Sequence, residues 1–128
     1  MDKLYIKGSE ETPEILLDME NSIFSISGMS LPEDVKGFYK PILNWLKDYF
    51  TAPNFSTVFT FKMTYFNTAS AKVILDILNL LKKASNQGYN VEVIWTYDQE
   101  DKEMLETGKY YTDIVAIQMT YKETSLFE

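Results

Sequence analysis

The chain has 128 residues, with Lys+Arg 12 against Asp+Glu 19 and a formal charge of −7, a length at which one domain (1–128) burying a single core is expected. Every cation is Lys, and with no Arg, His or Cys there can be no Ser-His-Asp triad, Cys nucleophile, disulfide, Cys/His zinc site or bidentate Arg clamp on phosphate. The acidic, Arg-free balance also argues against nucleic acid as a partner.

Residues 3–7 read as a short strand. Glu14 to Met19 and Ile23 to Ser27 flank the polar turn Glu20-Asn21, the pattern of a β-hairpin. Ser30-Leu31-Pro32-Glu33 has the form of a capping box, with Pro32 in the first turn of the helix it would open. In that helix Val35, Phe38, Ile42, Leu46 and Tyr49 recur at spacings of three and four. Pro41 falls inside the pattern and is expected to kink or divide it. Over residues 55–65, Phe55, Phe59, Phe61, Met63 and Tyr65 alternate with mostly polar positions, a half-buried strand. After Asn67 to Ala71 a second helix is expected to about Asn86. It turns Val73, Ile74, Ile77, Leu78, Leu81 and Ala84 inward, and Gly88 ends it. Val91 to Tyr97 reads as a strand. Asp98 reads as the cap of a short acidic helix from Gln99 to Glu106, stopped by Gly108, and Ile114 to Tyr121 as a final strand.

This order predicts an α/β fold: a small mixed sheet with helices packed on it and an N-terminal hairpin. The strand–helix–strand unit over 55–97 favours a right-handed parallel crossover. The start Met1-Asp2-Lys3-Leu4 lacks the features of an export signal, and no run approaches the roughly 18 apolar residues of a membrane span. A cytoplasmic location without direct membrane insertion is therefore expected.

Chemistry is sought first in Tyr65-Phe66-Asn67-Thr68-Ala69-Ser70-Ala71-Lys72, at the carboxyl end of a strand and the amino end of a helix. Free amides and the positive dipole end make this a place that tolerates anions. Thr68 or Ser70 can cap the helix, with Asn67 a turn residue; either hydroxyl can also carry a phosphate of about −1.5 to −2 charges. Lys72, four residues beyond Thr68, can share its helix face. The acidic run from Asp98 to Glu106 lacks the glycine and ligand spacing of a calcium loop and reads as a solvated helix start. Asp76 with Glu92 or Asp98 is the one candidate pair for acid–base work, and its spacing fixes no separation. Of the aromatics, Phe24, Phe59, Phe61 and Trp95 suit a core. Tyr39, Tyr65, Phe66, Tyr110 and Tyr111 are harder to bury all at once, and some are candidates for a docking patch, although for any one of them core or edge packing is the commoner role.

Four segments carry a resemblance. They are Glu11-Thr12-Pro13-Glu14; Gly28 to Glu33 with Phe38-Tyr39-Lys40-Pro41-Ile42-Leu43-Asn44-Trp45-Leu46; Tyr65 to Lys72; and Trp95-Thr96-Tyr97-Asp98 through Glu103 to Gly108. In this order the chain resembles the SiaC family of bacterial regulatory phosphoproteins, small domains with a STAS-like fold. The resemblance implies a non-enzymatic switch without cofactor or metal. In it Thr68 (alternatively Ser70) is phosphorylated by a Ser/Thr protein kinase and released by a metal-dependent phosphatase. The unmodified form binds and activates a diguanylate cyclase or another effector, in cyclic-di-GMP and biofilm signalling. Tyr65, Asn67, Thr68, Ser70, Lys72 and Asp76 would form the partner surface. Ala69 and Ala71 stand where family members often carry further Ser, leaving Ser70 as the near rival to Thr68. Two other readings stand beside this one: a constitutive adaptor or oligomer subunit, and a small-molecule enzyme using Asp76, Lys72 and a Tyr.

Overall fold

The computed structural model describes residues 1–125. Six strands and three helices follow in the order β1 (Leu4–Ile6), β2 (Glu14–Asp18), β3 (Ile23–Ser30), α1 (Val35–Tyr49), β4 (Ser56–Phe66), α2 (Thr68–Asn86), β5 (Asn90–Asp98), α3 (Lys102–Val115) and β6 (Met119–Thr124). The sheet keeps this sequence in space, β1-β2-β3-β4-β5-β6. The first two pairings are antiparallel and the last three parallel. The expected mixed sheet with an N-terminal hairpin is present. Each parallel pair is joined through one helix, as parallel pairing requires.

Register aligns two apolar rows across the whole sheet. One is Leu4, Leu17, Phe24, Phe59, Val93 and Met119; the other is Ile6, Ile15, Ile26, Phe61, Trp95 and Tyr121. Helix α1 covers the first strands through Ile42, Leu46 and Tyr49, with the Tyr49 ring 4.9 Å from that of Phe24. Helix α2 buries Val73, Ile74, Ile77, Leu78, Leu81 and Ala84, the six residues its periodicity assigned. Helix α3 rests on Trp95, whose Nε1 donates to the Met104 carbonyl at 2.9 Å. The opposite sheet face carries the row Tyr5, Leu16, Ser25, Thr60, Ile94 and Thr120 and, among the described residues, has no helix over it.

Several local expectations are corrected. Ser30 does not cap α1: it ends β3, fully buried, and Asp34 is the cap, its Oδ1 accepting from the Gly37 amide at 3.1 Å. Helix α1 passes through Pro41 as one element, with the ring on the exposed side. Tyr39, one of five aromatics expected to be hard to bury all at once, is in the core at 0% exposed, while Phe38, placed on the inward face by spacing, is only half-buried. Helix α2 begins at Thr68, and its cap is Asn67 rather than Thr68 or Ser70. Asp98 caps no helix: its Oδ1 holds the turn at the Glu100 amide, and Asp101 caps α3 by accepting from Met104. Helix α3 continues past Gly108 to Val115, so Ile114 is helical and the last strand starts at Met119.

The β4 alternation also breaks at both ends. Phe55 lies outside the strand and is 94% exposed. Near the other end Gly28 pairs with Met63 but Met29 pairs with Tyr65, so Thr64 is an extra residue in β4. Gly28 takes φ 106°, a backbone conformation glycine reaches without a Cβ penalty. The slip reverses parity: Tyr65 turns outward at 52% exposed, and Phe66 turns in against Trp95 and Tyr111.

Candidate functional site

The parity change delivers the β4–α2 junction in a fixed orientation. The Asn67 amide donates to the Ser30 carbonyl at 3.1 Å, tying the junction to the end of β3. Asn67 itself sits at φ −82° and ψ 176°, and its Oδ1 accepts from the Ser70 amide at 2.9 Å. This is ordinary N-cap geometry and satisfies one free donor of the first turn. Thr68 is the first helical residue and is exposed, next to exposed Ala69.

Ser70 takes a different role. It is 0% exposed, and its Oγ accepts from Ser30 Oγ at 2.8 Å. Ser30 Oγ lies 2.6 Å from the Tyr39 hydroxyl. A hydroxyl has one proton. With Ser30 donating to Ser70, the Tyr39 hydroxyl is the donor to Ser30. Burial pushes the Tyr39 phenol above its ordinary pKa, so Tyr39 keeps the proton this chain needs. The chain Tyr39–Ser30–Ser70 thus joins α1, β3 and the first turn of α2 beneath Thr68. Sequence reasoning placed Ser70 on the partner surface; its side chain lies inside, and the alternation of β3 with the α2 period is the signal that could have placed it there.

Tyr65, Lys72 and Asp76 are at least partly exposed and Asn67 is half-buried, so four of the expected surface residues border Thr68 or continue along α2. Lys72 and Asp76 face α1 across a cleft of about 460 Å³ whose other wall holds Lys36 and Lys40. The lysines of α1 were not anticipated; their spacing of four was visible, but their approach to Lys72 depends on how the helices are laid side by side. The candidate pair of Asp76 with Glu92 does not form. Asp76 lies on the helix side of the sheet, whereas Glu92 alternates with core-facing Val93 onto the uncovered face, where Thr120 Oγ1 donates to it at 3.5 Å. Among the described residues no group of three or more His, Cys, Asp or Glu is placed to hold a metal ion, and no helix is long and apolar enough to cross a membrane.

Fold and junction together define a small α/β domain that presents a shaped, charged surface. Comparison with known proteins carries this to a family. The chain belongs to the SiaC family of regulatory phosphoproteins, whose profile matches residues 6–124. It is 27% identical over 113 residues to a protein of Pseudomonas aeruginosa (strain UCBPP-PA14), covering 88% of this chain and 90% of that one. Its fold is similar to apo-SiaC from Pseudomonas aeruginosa, with TM-score 0.88 and 25% identity over 95% of this chain and 99% of that one. It is equally similar to SiaC from the same organism in complex with the diguanylate cyclase SiaD, of which SiaC is the activator, with TM-score 0.89, 25% identity, and 94% and 99% of the two chains covered. The family is regulatory, so the chain is a regulator and not an enzyme.

Proposed function

We propose that this chain is the activating partner of a cytoplasmic diguanylate cyclase, and that reversible phosphorylation of Thr68 switches it off. The likeness to a SiaC bound to its cyclase supports the effector, and the regulatory phosphoprotein family supports the covalent switch. The observation that carries the choice of Thr68 is its exposure at the first position of α2, while Ser70 two residues on is sealed. A Ser/Thr kinase moves the γ-phosphoryl group of ATP onto Thr68 Oγ1, with ADP leaving and the hydroxyl proton passing to the kinase base. A metal-dependent phosphatase returns the hydroxyl by hydrolysis, releasing inorganic phosphate.

The added charge acts outward. The chain has no Arg to clamp a phosphate bidentately, and the hydroxyls beneath, Ser30, Ser70 and Tyr39, are buried and already bonded to one another. The fold therefore stays as it is, and the phosphate opposes a close protein contact by repulsion and by its hydration. The test is a titration of the cyclase with wild type, Thr68→Val and Thr68→Glu. The expected result is that Thr68→Glu binds at least about tenfold more weakly, a change of about 1.4 kcal/mol, at an unchanged melting temperature, while Thr68→Val binds and activates. Equal affinity of all three proteins overturns the switch and leaves a constitutive adaptor.

A further inference from the structure

We infer that the groove between α1 and α2 is a docking site for an acidic amphipathic helix of a protein partner. The first observation is charge. Helices α1 and α2 together carry six Lys and two Asp, a net +4 in a chain of −7, so the remainder carries −11. Five of those lysines, Lys36, Lys40, Lys47, Lys72 and Lys83, line the groove, and among the described residues Asp76 is its one acidic residue. All five are at least partly exposed, and among the described residues none has a carboxylate within 4.0 Å. The molecule thus concentrates unneutralised positive charge on one strip while its other surfaces are acidic.

The second observation is shape. Three adjoining clefts of about 460, 310 and 390 Å³ share Lys47 and run along the helix pair. From Ala69 to Lys83 the α2 wall is about 21 Å long, close to four helical turns. The floor is apolar: Val35, Leu43 and Leu80 are half-buried beside buried Val73. An apolar floor between two lysine-bearing walls complements a helix whose apolar stripe is edged by Glu or Asp. A free anion would use the lysines and leave the floor wet. A nucleic acid would meet the −11 carried by the rest of the chain.

The upper end of this groove is the Thr68 junction, since Ala69 and Lys72 line it. A phosphate on Thr68 has the sign of the incoming helix and engages Lys72 from its own chain, so it competes for the wall that the partner needs. This regulatory aspect rests on the proposed function; the groove's choice of an acidic helix rests on the lysines and the apolar floor between them.

The test uses the full chain and a fluorescein-labelled four-turn peptide with Leu along one face and Glu on the others, alongside a counterpart with Lys in place of Glu. In fluorescence anisotropy at low salt the acidic peptide is expected to bind and the basic one not. The triple variant Lys36→Glu/Lys40→Glu/Lys72→Glu is expected to lose at least about tenfold in affinity for the acidic peptide and to gain the basic one, with an unchanged circular dichroism spectrum. Added salt weakens the wild-type complex. The inference is overturned if the acidic peptide fails to bind, if both peptides bind equally, if the triple variant binds like wild type, or if a DNA duplex displaces the peptide. If the peptide fails while Thr68→Glu still weakens the cyclase, the groove falls and the proposed switch stands. If the peptide behaves as expected and Thr68→Glu leaves both ligands unaffected, the groove stands and the switch falls.

Discussion

Tyr39 shows how much a single hydroxyl can hold in place. Its replacement by Phe leaves Ser30 without a donor and is expected to lower the unfolding free energy by about 1 kcal/mol, read from urea midpoints near neutral pH. The same variant changes the alkaline response. Burial raises the folded pKa of Tyr39 above its ordinary value, so the native state keeps a proton that the unfolded state loses above about pH 10. The stabilisation is whole below that pH and declines as pH rises toward the folded pKa. Tyr39→Phe is therefore expected to lose less stability than wild type on going from neutral to strongly alkaline buffer. The residual slope belongs partly to Tyr111, whose pKa burial also raises. Asn67 offers a second residue-scale test. Asn67→Ala removes the cap on Ser70 and should cost about 1 kcal/mol, with faster hydrogen exchange at the Ser70 amide marking a frayed turn under Thr68. Neither role was legible in the sequence. Asn67 read as a turn residue because the hydroxyls of Thr68 and Ser70 stood next to it as candidate caps, and Tyr39 was left out of the inward face because Phe38, its neighbour, suited the helical spacing.

Among the elements, α2 was the most legible and α3 the least, for physical reasons. Helix α2 has an unbroken apolar period and no glycine within it, so its inward residues follow from spacing alone. Helix α3 contains Gly108, which has the look of a stop signal. Its actual use is close approach: a Cβ there would lie 2.6 and 2.7 Å from Cδ1 and Nε1 of Trp95. The indole has little freedom to retreat, since it is bonded to Met104 and packed by Phe61 and Tyr111. Gly108→Ala is accordingly expected to destabilise the protein by about 1–3 kcal/mol through overpacking, despite the better helix propensity of Ala. A thermal melt that moves upward would contradict this contact. The β4 reading failed at one place, Thr64, where an extra residue exchanged the sides of Tyr65 and Phe66. Alternation in a sequence carries no mark of a bulge when both following residues are aromatic.

For the molecule as a whole, composition excluded most enzyme chemistry, and the order of segments led to the right family, because both are properties of the linear chain. The meeting of Lys36 and Lys40 with Lys72 was out of reach, since it depends on two helices from different crossovers lying side by side. The strictly sequential order of the sheet has a mechanical corollary. With β1 and β6 as its two borders, five strand spacings of about 4.8 Å set them roughly 24 Å apart. Tension applied through those borders runs across the strands, along the direction of the ladder bonds. Such bonds rupture in succession instead of resisting together in shear, so the domain should yield gently under load, peeling from its margins while β3, β4 and β5 hold longest.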